Sequence, residues 1–264
     1  MKDQDIDPAA FSAFFLGIVG IMTIPVLWFE KPSINQSVEL WIVVILSSLF
    51  YTACMVLYYQ ALQVTEVSQV ETIATTRSIW FMLIGVFLFQ ENLKLSSFLG
   101  IGLIFGGLIV IYWNRGSIRG FTRPHLNTLL YAFLISSAYA LDKYALNSFS
   151  VALYQVVIYI IPATFTLVFI PKTYEKVKYL LKPQKSTLVI LLSAIFQMIS
   201  TLALYGAYKS GGKLSVVGPL AQTSTVLTIL IGILVLMETW NLKRKIIGIS
   251  LTLLGVALIK FVSF

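Results

Sequence analysis

Residues 40–63 read LWIVVILSSLFYTACMVLYYQALQ, a run without one charged side chain. A bilayer core about 30 Å thick is crossed by roughly 20 mostly apolar residues in a helix, so this run is long enough to span it. Eight further stretches share its character: roughly 8–29, 69–90, 96–114, 126–147, 150–170, 186–209, 213–237 and 245–264. The connections between them are short and polar, and none could fold as a soluble domain. The alternation of outer-membrane strands is missing, and the runs are twice too long for such strands. Lipid offers no partner to an unpaired backbone amide, which leaves helices as the spanning solution. The expected fold is an all-α integral membrane bundle of about nine transmembrane helices.

Composition points the same way. The chain is 58% hydrophobic and 11% charged, against about 45–50% apolar and about 25% charged residues in soluble domains. So few charges cannot cover so much apolar surface in water, and the excess faces lipid. A net charge of +8 does not point to nucleic acid. Lys172, Lys176, Lys178, Lys182 and Lys185 gather in one connector beside lipid-embedded helices, where anionic headgroups and cytoplasmic retention account for them. The single Cys54 lies within a span and the single His125 follows Pro124 in a loop. That pair removes most metal-site and nucleophile readings, so no metal and no cofactor are expected. The start, MKDQDIDP, is acidic and unlike a cleaved signal peptide. A multi-pass protein of a cell membrane, prokaryotic inner or plasma membrane, is the expectation.

The sequence repeats itself. A shift of 147 lays Ala74 on Ala221, Thr76 on Thr223, Gly85 on Gly232 and Glu91 on Glu238. A shift of 146 lays Ser47 on Ser193, Tyr59 on Tyr205 and Ala61 on Ala207, and a shift of 148 lays Gly100 on Gly248 and Gly107 on Gly255. The drift falls in connectors, where insertions are cheap. Residues 1–120 then form a first repeat of four helices and 121–264 a second of five, within one membrane domain. The span at 126–147 has no partner, as expected if a five-plus-five ancestor lost its first helix. An odd helix number per unit inverts the two repeats across the membrane, the arrangement of many secondary transporters.

In these stretches the chain resembles the EamA-type branch of the drug/metabolite transporter superfamily, apparently without the first helix. The resemblance rests on YYQALQVTEVSQVETIATTRSIWFMLIGVFLFQE (58–91) and LYGAYKSGGKLSVVGPLAQTSTVLTILIGILVLME (204–238). The glycine helices GIGLIFGGLIVIYW (100–113) and GISLTLLGVALIKF (248–261), and ALDKYAL (140–146), support it. It implies alternating-access export or exchange of small metabolites through a central cavity, with both termini in the cytoplasm. It also implies that the glycine helices pack peripherally or at subunit contacts, which leaves a homodimer open. Lys and Arg fall about twice as often on the side holding Met1, which puts the amino terminus in the cytoplasm and, with nine spans, the carboxyl terminus outside. The two arguments on orientation disagree.

Polar groups within the spans are the candidate site. Arg77 sits inside the third span, where an arginine costs about 2.5–3.5 kcal/mol and must face a cavity or a partner. It is read as an anchor for a carboxylate or phosphate, against a structural ion pair or snorkelling to the interface. Its repeat mate is Ser224. Thr76, Gln222, Thr223, Thr225 and Thr228 add polar groups beside it, although such hydroxyls often bond back to their own helix. Tyr58, Tyr59, Tyr205 and Tyr208 lie where helices near the interface, and an aromatic belt explains them; Tyr59 and Tyr205 rank higher because they match in the repeat. Gln155 and Gln197 read as buried amides bonded to neighbouring helices, or as solute contacts. Asp142 is the proton-coupling candidate, against the simpler reading of an interfacial charge near a helix end.

Other features have structural readings. Glu91 and Glu238 read as structural residues at helix-to-connector turns. Gly100, Gly102, Gly106 and Gly107 allow close helix contact, Gly102 and Gly106 in G-x-x-x-G spacing. Pro25, Pro162 and Pro219 could kink or break spans.

The leading function is a secondary-active exporter or exchanger of small polar metabolites, amino acids or other carboxylates foremost because of Arg77. The partners expected are a small-molecule substrate and the lipid bilayer, with no nucleic acid. No G-x-x-x-x-G-K-[ST] loop occurs, so energy comes from a gradient or from exchange. The alternatives are a lipid-linked intermediate flippase and a non-transporting membrane subunit. An enzyme is not expected, because no cluster of catalytic polar groups is visible.

Overall fold

The computed structural model describes residues 7–33, 37–65, 67–112, 123–180, 187–224 and 242–262, and every regular element among them is helical. In order they are α1 (Pro8–Thr23), a 3₁₀ turn (Ile24–Trp28), α2 (Val38–Val64), α3 (Val67–Ala74), α4 (Arg77–Phe87) and α5 (Leu95–Tyr112). Then follow α6 (Arg123–Ala145), α7 (Val151–Phe169), α8 (Thr173–Leu180), α9 (Thr187–Lys209), α10 (Leu214–Ala221) and α11 (Leu242–Val262). Thr225, Thr228, Lys182, Lys185 and Glu238 lie outside the described residues.

The chain divides into two compact units, Met1–Val64 with Ser137–Gly211, and Thr65–Ser136 with Gly212–Phe264. Each unit draws on both halves of the sequence, and α6 contributes its first part to the second unit and its last part to the first.

Four helical stretches of the first unit are long and apolar enough to cross a membrane: Pro8–Trp28, Val38–Val64, Val151–Phe169 and Leu188–Lys209. Their polarity is inside out relative to a soluble bundle. On α9, Leu188, Leu192, Ile195 and Ile199 form an exposed stripe, while Ala194, Thr201, Tyr205 and Tyr208 are buried. On α2, Val38, Ile42, Ile45 and Leu49 are exposed, while Ser47, Ser48 and Tyr51 are buried. Apolar stripes at helical spacing on the outside, with hydroxyls inside, are stable only where the solvent is hydrocarbon. The molecule is a multi-pass membrane protein.

Local chemistry sets the ends of these helices. Asp7 starts α1: its carboxylate accepts the Ala10 amide at 3.0 Å, and Pro8 takes the first position, where the missing N–H costs nothing. Pro25 lies in the 3₁₀ turn that follows α1. Where α7 crosses α1, a side chain on Gly20 would strike Ile160 at 2.7 Å, so the glycine sets the helix spacing. At the far end of α6, the Lys209 ammonium donates to the carbonyls of Leu146 (2.6 Å) and Phe149 (2.8 Å). A cation there satisfies carbonyls that the helix leaves unpaired.

In the second unit the glycine helices α5 and α11 pack on one another. A Cβ on Gly255 would lie 2.5 Å from the Gly100 carbonyl, and one on Gly107 would lie 2.6 Å from that of Gly248. Contacts pairing rising with falling numbers run antiparallel. Around them Ile101, Ile104, Leu108 and Ile259 form a buried core. The G-x-x-x-G pair does not join in this contact: a Cβ on Gly102 or Gly106 would meet nothing within 4 Å. The working spacing is seven residues, Gly100 to Gly107, because two antiparallel helices in close contact meet on one face every second turn.

The third span is not one helix. It breaks at Thr75 and Thr76, between α3 and α4. There the bonds tighten to Thr76 N–H on Ile73 and Ser78 N–H on Thr75, and the Thr76 hydroxyl also donates to the Ile73 carbonyl at 2.7 Å. A threonine hydroxyl offering the backbone an alternative partner is a known way to interrupt a helix.

Candidate functional site

Asp142 is the centre of the first unit's polar interior. It is fully buried, which corrects its reading as an interfacial charge. Four hydroxyls converge on its carboxylate. Ser47 (2.6 Å) and Tyr154 (2.7 Å) donate to Oδ1, while Tyr51 (2.6 Å) and Tyr205 (2.7 Å) donate to Oδ2. An ionised carboxylate accepts about four such bonds and donates none, so the set is complete. A carboxylate at a helix centre in lipid costs about 2.5–3.5 kcal/mol. Hydrogen bonds to a charged group each return about 1.5–3 kcal/mol, so two of the four offset that cost. Asp142 is therefore held by donors from α2, α7 and α9.

The cage corrects a second expectation, because Tyr205 and Tyr208 are interior residues and not members of an interfacial belt. Tyr59 is half-buried and lies edge-on against Phe11, away from the carboxylate. Its place in the cage is taken by Tyr51, with Ser47 one helical turn earlier on the same face of α2. Tyr51 and Tyr154 were not singled out from the sequence. The usable signal was the Ser47–Tyr51 spacing within an otherwise apolar span.

Two glutamines of this unit, Gln155 and Gln197, bridge helices. Gln155 is fully buried, and its amide donates to the Thr23 hydroxyl at 3.2 Å and to the Met198 carbonyl at 3.1 Å. Gln197 donates to Tyr159 at 3.0 Å and to Thr201 at 3.1 Å.

Arg77 belongs to the second unit and opens α4, immediately after the helix break. Its Nε donates to Gln222 Oε1 at 2.8 Å and its Nη1 to the Tyr131 hydroxyl at 3.0 Å. Gln222 in turn donates to Ser78 at 2.6 Å, and Ser136 donates to the Arg77 carbonyl at 3.2 Å. Gln222 is the C-cap of α10, three residues beyond Pro219, which lies inside that helix. Two helix ends within the apolar interior thus carry their polar groups to one place. Gln222 meets the arginine; the repeat mate Ser224 is exposed, and its hydroxyl donates to the Ala221 carbonyl at 3.0 Å. Thr76 and Thr223 bond back to the carbonyls of Ile73 and Leu220, so their hydroxyls serve the turns they sit in.

Glu91 has a defined structural task. Its carboxylate accepts the amides of Leu214 (2.7 Å) and Ser215 (2.9 Å) and the Ser215 hydroxyl, capping the start of α10. Gln90, with φ of 50°, turns the chain to deliver it. Gly85 leaves room, since a Cβ there would meet Glu91 Oε2 at 2.5 Å. Glu30 does the same in the first unit, accepting the amides of Val151 (2.9 Å) and Ala152 (2.7 Å) at the start of α7. Both use an anion where the helix presents unpaired N–H groups.

Residues 2–113 match the family model described as the EamA-like transporter family. Over that stretch the chain is similar to the EamA-like transporter family. The EamA-like stretch carries Ser47, Tyr51, Arg77 and Glu91, whereas Asp142, Tyr205 and Gln222 lie beyond it. No curated protein matches the sequence. A solved structure described only as "Crystal structure of protein" is similar in fold, with a TM-score of 0.76 at 15% identity, covering 99% of this chain and 90% of that one. At that identity the likeness speaks for the fold alone. The chain is thus a helical membrane protein with an EamA-like first part.

Proposed function

We propose that this protein is a secondary-active carrier, an exporter or exchanger of small polar metabolites, with amino acids and other carboxylates as the favoured class. The observation that carries the reading is Arg77, a guanidinium placed at a break between two helices and oriented by Gln222 and Tyr131. Interrupted helices with polar groups at the break are a usual way for transporters to present a binding site in the membrane. A planar cation oriented by Gln222 and Tyr131 suits a carboxylate or phosphate oxygen pair. The EamA-like match supports transport in general. Nine spans in two inverted repeats, residues 1–120 and 121–264, in a cell membrane complete the reading, with Asp142 as the group that would couple proton movement to transport.

The test is uptake or counterflow of a pooled amino-acid and metabolite panel into proteoliposomes. Saturable uptake is expected, with Arg77→Ala raising KM about 10- to 150-fold, the range for losing a hydrogen bond to a charged group. Tyr131→Phe removes an orienting bond but keeps the charge, and should cost much less. Equal uptake by wild type and Arg77→Ala removes the anchor from the scheme. No uptake from folded, inserted protein favours a non-transporting subunit.

A further inference from the structure

The first unit contains a buried acceptor that its own side chains leave unmatched. Gln155 is fully buried, and among the described residues its Oε1 has no hydrogen-bond partner. The other end of that amide is committed: Nε2 donates to the Thr23 hydroxyl at 3.2 Å and to the Met198 carbonyl at 3.1 Å. The two ends of an amide are told apart by their partners, and here they have one arrangement. Turning the amide over would set Oε1 against the Met198 carbonyl, acceptor facing acceptor. Thr23 has no proton to give Oε1, because its hydroxyl donates to the Val19 carbonyl at 2.8 Å.

One turn along α7 lies the complementary excess. Tyr159 and Thr201, both buried, share a hydrogen bond of 2.9 Å. Gln197 donates to both hydroxyls, at 3.0 and 3.1 Å. A hydroxyl carries one proton, so whichever of the pair donates to the other, the second keeps its proton to offer. Gln155 and Tyr159 are four residues apart on α7, and Met198 and Thr201 three apart on α9. Those spacings put each pair on one face of its helix.

We infer that a single water molecule is built into the first unit between α7 and α9, donating to Gln155 Oε1 and accepting from the Tyr159–Thr201 pair. Buried acceptors are rarely left without a donor, because leaving one unmatched costs more than an ordinary hydrogen bond returns. Buried waters serve such groups, typically through two to four bonds, and this one has a proton to give and a proton to receive. Full burial of Gln155 and Thr23 favours the smallest molecule that both donates and accepts. With the water in place, every polar group of the seam joining α1, α7 and α9 through Thr23, Gln155, Tyr159 and Thr201 has its partner. The water's place rests on the first unit alone and is independent of the transport reading.

The test is X-ray radiolytic labelling of the full chain in detergent, read residue by residue by mass spectrometry. Ionising a bound water releases a hydroxyl radical beside it, so Tyr159 should be oxidised in the wild type despite its burial, with the exposed Tyr174 reporting bulk water. Gln155→Met keeps the side-chain length and removes the acceptor; it should lose the Tyr159 label and keep that of Tyr174. Thr166→Val removes another buried hydroxyl of α7, one bonded to the Pro162 carbonyl, and should leave the Tyr159 label unchanged. A single symmetrical size-exclusion peak certifies that the variants are folded. If Gln155→Met does not fold, oxygen-17 magnetic relaxation dispersion of the wild type decides, and the absence of any long-lived water overturns the proposal. No Tyr159 label in the wild type, or a label that survives Gln155→Met, overturns it as well. So does a label abolished by a saturating amino-acid panel, which would hand the acceptor to a solute.

Discussion

Replacing Tyr154 by Phe removes one oxygen and keeps the ring, which remains packed against Phe149 at 5.6 Å and Tyr205 at 5.5 Å. The lost bond is the 2.7 Å donation to Asp142 Oδ1, leaving Ser47 as the donor to that oxygen. A hydrogen bond to a charged group is worth about 1.5–3 kcal/mol and one between neutral groups about 0.5–1.5 kcal/mol. Tyr159, also on α7, supplies the neutral control: its hydroxyl pairs with Thr201 at 2.9 Å and accepts from Gln197 at 3.0 Å. Tyr154→Phe should therefore destabilise the protein by about 1.5–3 kcal/mol, and Tyr159→Phe by about 0.5–1.5 kcal/mol for each of its two bonds. Reversible unfolding in mixed micelles of increasing sodium dodecyl sulfate, followed by tryptophan fluorescence, measures both. A Tyr154→Phe cost no larger than half that of Tyr159→Phe, its cost per bond, would refute the reasoning. Asp142 would then not be an ionised acceptor held by four hydroxyls.

Glu91→Gln retains one acceptor for the amides at the start of α10, while Glu91→Ala leaves the Leu214 and Ser215 amides without their described acceptor; the alanine should cost about 1–3 kcal/mol in the same assay and the glutamine less. Gly255→Ala drives a Cβ to 2.5 Å from the Gly100 carbonyl and should lower stability by about 1–3 kcal/mol. Gly102→Ala meets nothing within 4 Å and should be neutral or slightly stabilising, so equal losses at the two glycines would sink the assignment of the contact face. Partial burial pushes the Asp7 carboxyl up, but Lys176 and the amides of Ala10 and Ala9 outweigh it and hold it below the usual carboxylate value. A lowered folded value means that this contribution is present above the unfolded value, about 3.9, and is lost as pH falls through the folded one. Amide exchange at Ala10 should accelerate over that window, and a rate that follows only the intrinsic pH dependence would count against the cap.

Much of the fold was legible because lipid imposes a coarse rule on sequence: long apolar runs with few charges, and glycines where helices must touch. The interior chemistry was less legible because its partners are far apart in the chain. Asp142 looked like a helix-end charge from ALDKYAL alone. Its burial depends on Ser47 and Tyr51, which lie 95 and 91 residues earlier. The break at Thr75–Thr76 had a local signal, paired hydroxyls beside an arginine, but a hydropathy window averages such a signal away. Glu30 gave no sign of its task, since capping α7 requires the first unit to bring residues 121 and 122 positions apart together. Gln222 was chosen among several polar neighbours of Pro219, and the end of α10 selects it over Ser224.

The Glu91 cap also has a bearing on synthesis. Its partners, Leu214 and Ser215, follow 123 and 124 residues later. At about 5–20 residues per second, the ribosome needs about 6–25 s to make that interval. During those seconds the nascent segment must be held in or near the bilayer with an acidic group still lacking its permanent amides, while all the residues of the first unit are finished before α10 begins. The Glu91 cap of α10 can therefore close only after every residue of the first unit has been made.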